Sequence, residues 1–485
     1  MFILVLLILS CCSLSTTEKV ITSSGTIEYT EHFGYVNVRP KAHMFWWLYK
    51  ANSSSYTRPL ILWLQGGPGA SSTGFGNFEE IGPKDLDGND RNYTWLQLAD
   101  LVFVDNPVGA GFSYVDEDSA FTTDVDQIAA DLMVWAINFF SLHVDYKTRP
   151  FYIFCESYGG KMAAQFARVI TEPKRFYYLQ YSNKFPIDLR AVALGDSWIS
   201  GIDYVDTWGK YLFAMSFLDE HQAKQVKQQT DQCWNMVMKK QWANATDCWG
   251  STEDLITKLT DNVSWYNIMK AGGEDEWSAT AKSKNPAREC INTKTIFCLP
   301  NVAHVKAFGP LKYIAENDIA VSELTYKKQL APYQKDQLST YMDTVVRKRL
   351  GVIPDKVHFG AQSEKVFEKQ TGDFMKPNYN TVDFLLAKNV NVIIYNGQLD
   401  LICDTIGTEQ WIKRLQWSGL QTFQTAKKTS FKTPSSFGPD GYYKSYRNLQ
   451  LWYILRAGHM VAYDAPTATL FMVKNILQQF AQGRK

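Results

Sequence analysis

Residues 151–170 read FYIFCESYGGKMAAQFARVI, and no other run limits the possible folds as sharply. The apolar and aromatic stretch Phe151 to Phe154 suits a strand buried on both faces. Met162, Ala163, Ala164, Phe166 and Ala167 have the texture of a helix. Only Cys155 to Lys161, with Glu156-Ser157-Tyr158-Gly159-Gly160 at its centre, lies between them, so the chain must pass from strand to helix over a tight turn. A serine on such an elbow is held with its hydroxyl exposed and the N–H groups of the new helix nearby. Ser157 is therefore a candidate nucleophile, against the plainer reading of a surface serine in a Gly-rich turn. Cys155 stands where such elbows carry their first glycine, and it is small enough to fit.

Short apolar runs recur around this unit. Leu60–Leu64, Leu101–Asp105, Phe151–Phe154 and Ala191–Leu194 read as buried parallel strands separated by Gly/Pro turns and helices. From about 205 to 370 the texture changes to Lys, Gln, Trp and Asn with clustered cysteines, and reads as mostly helical. Strand character returns at Asn391–Tyr395, followed by a helix over Thr408–Leu415, a strand at Leu449–Leu455 and a last amphipathic helix near Ala465–Phe480. The interrupted alternation predicts an α/β core, with a mostly parallel central sheet, helices on both faces and a helical cap inserted after Asp196-Ser197-Trp198. The expected divisions are a leader over 1–15, core over 16–204, cap over 205–370 and core again over 371–485.

A serine hydroxyl needs an imidazole to take its proton, and the imidazole needs a carboxylate to fix its tautomer. Asp400 follows the strand in VNVIIYNGQLD, and His459 follows the strand in LQLWYILRAGHM. The order Ser, Asp, His is that of α/β-hydrolases. The carboxyl ends of parallel strands share one sheet edge, where the three side chains can meet. Taken singly, His459 could be a satisfied core histidine and Asp400 a helix cap. A second Gly-rich turn, Gln65-Gly66-Gly67-Pro68-Gly69, follows Leu60–Leu64 and can aim N–H groups at a developing oxyanion. No Gly-Lys-Ser/Thr follows it, which excludes a phosphate loop.

Fifty Lys and Arg against 49 Asp and Glu leave a net charge of +1 without a basic run, which excludes nucleic acid as an expected partner. The N-terminus reads MFILVLLILSCCSLSTTEK, whose apolar run is far short of the ~20 residues that span a bilayer. With Ser13 and Ser15 near the cleavage point it reads as a secretory leader, and no later segment reads as a membrane span. Sequons at Asn52, Asn92, Asn244 and Asn262 agree with export to a secreted or lysosomal location. Cys233, Cys248, Cys290 and Cys298 cluster in the cap, where disulfides are expected. Cys233–Cys248 with Cys290–Cys298 closes the shortest loops, and the two other pairings stay open. Zinc is disfavoured because no C-x-x-C or H-E-x-x-H occurs, so neither metal nor cofactor is expected.

WLQGGPGASS, FVDNPVGAGFSY, ESYGGK, YNGQLDLICD and AGHMVAYDAP, in that order, resemble the successive motifs of the serine carboxypeptidases of the α/β-hydrolase fold. GFGNFEEIGP and LGDSWIS are most similar to the retinoid-inducible branch, and the likeness runs from about residue 30 to the C-terminus. The resemblance implies Ser157 as nucleophile, His459 as general base and acid, and Asp400 as its orienting carboxylate. It implies the N–H groups of Gly67 and Tyr158 as the oxyanion hole. It implies Trp63, Gln65, Gly66, Glu80 and Glu156 as the site for a substrate's terminal carboxylate, and Cys403 as a thiol bordering the pocket. Gln65 replaces the family's usual Asn and is one methylene longer. Ala70 replaces a disulfide cysteine common in the family, and Ala462 and Ala465 replace other residues of the histidine loop.

The expected activity is release of C-terminal residues from peptides through an acyl-enzyme at acidic pH, with peptide or protein C-termini as partners. The alternatives are an acyltransferase or esterase on the same scaffold, or a non-catalytic binding homologue.

Overall fold

Leu60, Leu62 and Leu64 pack into one apolar cluster while Ile61 and Trp63 pack into another. That alternation is what a strand sandwiched between two helical layers requires. The same division holds for Phe151, Ile153 and Cys155 against Tyr152 and Phe154. The computed structural model describes residues 12–53, 57–172, 187–270, 337–434 and 436–481.

The strands are β1 (Cys12–Thr22), β2 (Gly25–Arg39), β3 (Ala42–Ala51), β4 (Leu60–Leu64), β5 (Asp100–Val104), β6 (Tyr114–Val115), β7 (Phe151–Glu156), β8 (Leu189–Gly195), β9 (Asn391–Gly397), β10 (Thr429–Phe431), β11 (Gly441–Tyr446) and β12 (Leu449–Ile454). They form one sheet in the order β1-β2-β3-β5-β4-β7-β8-β9-β12-β11-β10, with β6 beside β3. The centre, β5-β4-β7-β8-β9-β12, is parallel throughout. Both flanks are antiparallel. β1 begins at Cys12, so the end of the stretch read as a leader carries strand structure.

Helices α1 (Val125–Leu142) and α2 (Gly159–Thr171) cover one face. The wide helical turn Ser72–Ile81 and the last helix, Pro466–Gln479, cover the other. Among the described residues α1 is the one helix long and apolar enough to cross a membrane, and it is a core helix with Ile128, Leu132 and Phe139 buried.

Between β8 and β9 the described chain is helical. Helix α3 (Gly201–Ala214) leads to α4 (Glu220–Met238), whose start is fixed by a capping box between Asp219 and Gln222. A disulfide from Cys233 to Cys248 ties α4 to α5 (Trp242–Leu259). Cys290 and Cys298 lie outside the described residues. Helix α6 (Glu364–Phe374) packs on α5 through Trp249, whose ring centroid is 4.8 Å from that of Phe374. Ala70, without a cysteine, meets this region through an antiparallel backbone bridge to Gln362.

Candidate active site

Ser157 has φ of 59°, in the left-handed region that a non-glycine residue occupies only when its surroundings hold it there. Its N–H donates to the Gly195 carbonyl at 3.1 Å, and its own carbonyl accepts from the N–H groups of Gly160 and Trp198. Packing makes the adjacent glycines necessary. A Cβ on Gly66 would lie 2.4 Å from the Ser157 Cβ, and one on Gly159 would lie 2.4 Å from the Leu64 carbonyl oxygen. Cys155 fills the position of the missing glycine as a buried side chain, its thiol 3.2 Å from the Ala193 carbonyl oxygen.

His459 follows β12 and is almost wholly buried. Its Nδ1 lies 2.8 Å from Asp400 Oδ2, so Nδ1 carries the proton and Nε2 keeps its lone pair. The other Asp400 oxygen, Oδ1, accepts from the Cys403 N–H at 3.1 Å. The His459 backbone N–H donates to the Tyr266 carbonyl, and the Tyr266 ring meets the imidazole edge-on at 5.2 Å. Ser157 and His459 line one cavity, together with Gln65, Gly66, Gly67 and Glu156. The Gly67 and Tyr158 N–H groups have no protein acceptor among the described residues, which leaves both free for an oxyanion.

Next to the elbow lies a buried chain of polar groups. The Trp63 indole donates to Gln65 Oε1 at 2.7 Å, which turns the amide NH₂ toward two acids. Gln65 Nε2 then donates to Glu156 Oε1 at 2.8 Å and to Glu80 Oε1 at 3.3 Å. Glu80 Oε2 has no partner. No Lys or Arg side chain pairs with either carboxyl among the described residues. Burial pushes Glu80 up to about 7. Burial, and then the charge of Glu80, pushes Glu156 well above the ordinary carboxyl range. Two such groups hold protons that they can donate to an incoming anion.

The far wall of the cavity is aromatic, with Trp198, Trp249, Phe367 and Phe374. Trp198 lies in LGDSWIS, whereas Trp249, Phe367 and Phe374 carry no motif, and the sequence offered no signal for these three or for Tyr266. Asp400, Cys403 and His459 bring ligand-type atoms within 4.8 Å of one another, but their carboxylate and imidazole already bond to each other. The asparagines of all four sequons are exposed. Asn52, Asn92 and Asn262 lie outside helices and strands, whereas Asn244 sits in the first turn of α5.

A serine elbow, a His–Asp pair and two free amides at the carboxyl edge of a parallel sheet define an α/β-hydrolase-type serine hydrolase. The serine carboxypeptidase family profile matches residues 22–479. The chain is 42% identical over 457 residues to the mouse retinoid-inducible serine carboxypeptidase, covering 93% of this chain and 92% of that protein. It is 36% identical over 483 residues to serine carboxypeptidase-like 51 of Arabidopsis thaliana, covering 98% and 97%. The fold matches that of a prohormone-processing carboxypeptidase of Saccharomyces cerevisiae with a TM-score of 0.72 at 22% identity, covering 93% of this chain and 92% of that one. This chain belongs to the serine carboxypeptidase family, and its activity is that of a serine-type carboxypeptidase acting on peptides.

Proposed function

We propose that Ser157, His459 and Asp400 form the catalytic triad, and that Glu80, Glu156, Gln65, Gly66 and Trp63 hold the C-terminal carboxylate of the substrate. The single observation that carries this reading is the pair of buried acids beside the elbow, with which no Lys or Arg pairs among the described residues. A carboxylate arriving there finds neutral acids that can donate to it. A fully ionised pair would repel it by several kcal/mol at this depth.

In the reaction, the Ser157 Oγ attacks the carbonyl of the last peptide bond while His459 Nε2 takes the hydroxyl proton. Gly67 and Tyr158 N–H groups donate to the oxyanion. Collapse breaks the C–N bond, and His459 returns its proton to the departing amino acid. Water then attacks the acyl-enzyme, again losing a proton to His459, and the peptide leaves one residue shorter. The ring-lined wall favours bulky uncharged side chains next to the scissile bond. Cys403 is buried next to Asp400 and does not itself line this cavity, whose wall there is Ile402.

The reading favours acidic pH for free-acid peptides, because the Glu80–Glu156 pair loses its protons as pH rises. The leader-like N-terminus, the four exposed sequon asparagines and the disulfide support residence in the secretory pathway, secreted or lysosomal. The helical stretch between β8 and β9 serves as the cap over the core. Mass spectrometry of a peptide pool incubated with the purified protein at acid and neutral pH tests the proposal. Stepwise shortening from the C-terminus alone, strongest at acid pH and absent in Ser157→Ala, is the expected result. Internal cleavage or turnover by Ser157→Ala would overturn it.

A further inference from the structure

Asp196 ends the turn after β8 with φ of 39°, a strained conformation for any residue but glycine. Its backbone N–H donates to the Tyr395 carbonyl at 2.9 Å. Its Oδ1 accepts from the Gly397 N–H at 2.7 Å and from Asn396 Nδ2 at 3.1 Å. Gly397 is itself wedged against the histidine loop: a Cβ there would lie 2.0 Å from the Gly458 carbonyl oxygen. One carboxyl oxygen of Asp196 thus fixes the point that the loops of Asp400 and His459 both touch.

The other oxygen has no such partner. Asp196 Oδ2 is buried and meets no donor. The side chain within hydrogen-bonding reach is Asp400, whose two oxygens already accept from Cys403 N–H and His459. Among the described residues the charged or titratable groups around the pair are Glu80, Glu156, Cys403, Asp404, Tyr211, Tyr395 and His459, and none of them is Lys or Arg. Two carboxyls in contact, away from water and without a cation, cannot both be ionised. Burial, with the Asp400 charge added to it, holds Asp196 well above the ordinary carboxyl range.

We infer that Asp196 is a positioning residue of this active site, carrying a proton on Oδ2 and donating it to Asp400, so that one negative charge rather than two faces His459. The inference rests on the triad reading given above. Its consequence is a pH dependence of the triad that does not depend on the substrate. Once Asp196 ionises, a second negative charge favours the imidazolium that His459 becomes on taking the Ser157 proton, so the imidazole accepts that proton more readily.

The test is the rate at which a fluorophosphonate labels Ser157, since that reagent has no terminal carboxylate for Glu80 and Glu156 to hold. Asp196→Asn keeps an acceptor and a permanent N–H donor but cannot ionise. The ratio of the Asp196→Asn rate to the wild-type rate should fall by about threefold or more between about pH 5 and about pH 9, since part of each pKa unit of basicity gained by the wild type appears in its rate. A ratio constant with pH, whatever its value, overturns the inference, because a purely structural role would slow labelling equally throughout. Asp196→Ser, with a smaller donor, carries the same expectation and decides the matter if the asparagine variant does not fold. Labelling that persists in Ser157→Ala removes the nucleophile reading. Labelling abolished there, with a flat Asp196→Asn ratio, overturns only the role of Asp196.

Discussion

Asp100 and the acids around Ser157 are all buried at the same sheet, yet at opposite ends of its strands. Asp100 begins β5 and is fully enclosed, and every lone pair it offers is used. Arg58 Nε donates to Oδ1 at 2.7 Å, Ala51 N–H to Oδ1 at 3.0 Å, Tyr146 O–H to Oδ2 at 2.7 Å, and Arg149 Nη1 to Oδ2 at 3.3 Å. At the carboxyl edge, Glu80, Glu156, Asp196, Asp400 and Asp404 lie buried without one Lys or Arg paired to them among the described residues. Two of those acids, Glu80 and Asp196, leave an oxygen that meets no donor among the described residues. The first arrangement is what a buried charge needs if it is only to hold a fold together. The second is held by the scaffold at a cost to stability, which marks the edge where chemistry is done.

The contrast breaks most visibly if activity and stability fail to separate. Ser157→Ala should lower kcat/KM for a peptide by at least about 10⁴-fold, while its denaturation midpoint stays at or above the wild-type value because the strained elbow loses only a hydroxyl. A Ser157→Ala enzyme with a tenth of wild-type activity would end the triad reading. Asp100→Asn should do the reverse. Leaving Arg58 and Arg149 without their carboxylate, in side chains nearly closed to water, should cost about 3–5 kcal/mol in denaturant titration. What activity remains per folded molecule should keep the wild-type pH profile. An altered profile would mean that the two ends of the sheet are coupled.

A finer test lies within the active edge. Changing Glu80 and Glu156 together to Gln keeps neutral donors at both positions and removes the capacity to ionise. Hydrolysis of free-acid peptides should then persist at neutral pH, gaining about tenfold or more over wild type there, since each pKa unit removed is a factor of ten. C-terminally amidated peptides should show no comparable gain. Equal gains for both substrates would place the two acids outside the carboxylate site.

How much of this was legible in the residues depends on how local each signal is. Leu60–Leu64 is a strand with the very bounds read from its apolar run, and Leu101–Asp105 is offset by one residue from Asp100–Val104. Such strands are apolar on both faces, so a continuous run identifies them. The helix expected over Thr408–Leu415 starts earlier, at Thr405, because Asp404 caps it by accepting from the N–H groups of Ile406 and Gly407. The antiparallel flanks were not read. β2, with Glu28, Glu31 and His32 among its apolar residues, gains its pairing from β3 across a reverse turn, not from its own pattern. At the site, Ser157, Asp400 and His459 each sit in a short run with turn chemistry of its own. Asp196 sat in plain view within LGDSWIS, but its meaning lies in its distance to a residue more than two hundred positions away.

The smallest expected effect concerns stability against pH, and here the sign separates the acids from a half-buried histidine elsewhere. Glu80 is raised from 4.5 to about 7 and Asp404 from 3.8 to about 7, both chiefly by burial. For a group raised on folding, the stabilising share is complete below the unfolded value and disappears as pH climbs through the folded one. These acids therefore favour the fold at acid pH and weaken it across the window from about 4 to about 7. His143, packed against Trp46 and Phe139 beneath the sheet, is lowered from 6.5 to about 4 by burial and then by His32. It works in the other direction, since the unfolded chain takes up that proton first as pH falls. Several raised acids outweigh one lowered histidine, so denaturation free energy should drop between about pH 5 and about pH 7.5. Glu80→Gln should flatten that slope, and His143→Gln should steepen it by removing the opposing contribution. A stability that instead rises through this window would mean that the acids at the carboxyl edge ionise freely in the folded protein, and that the two ends of the sheet do not differ as described.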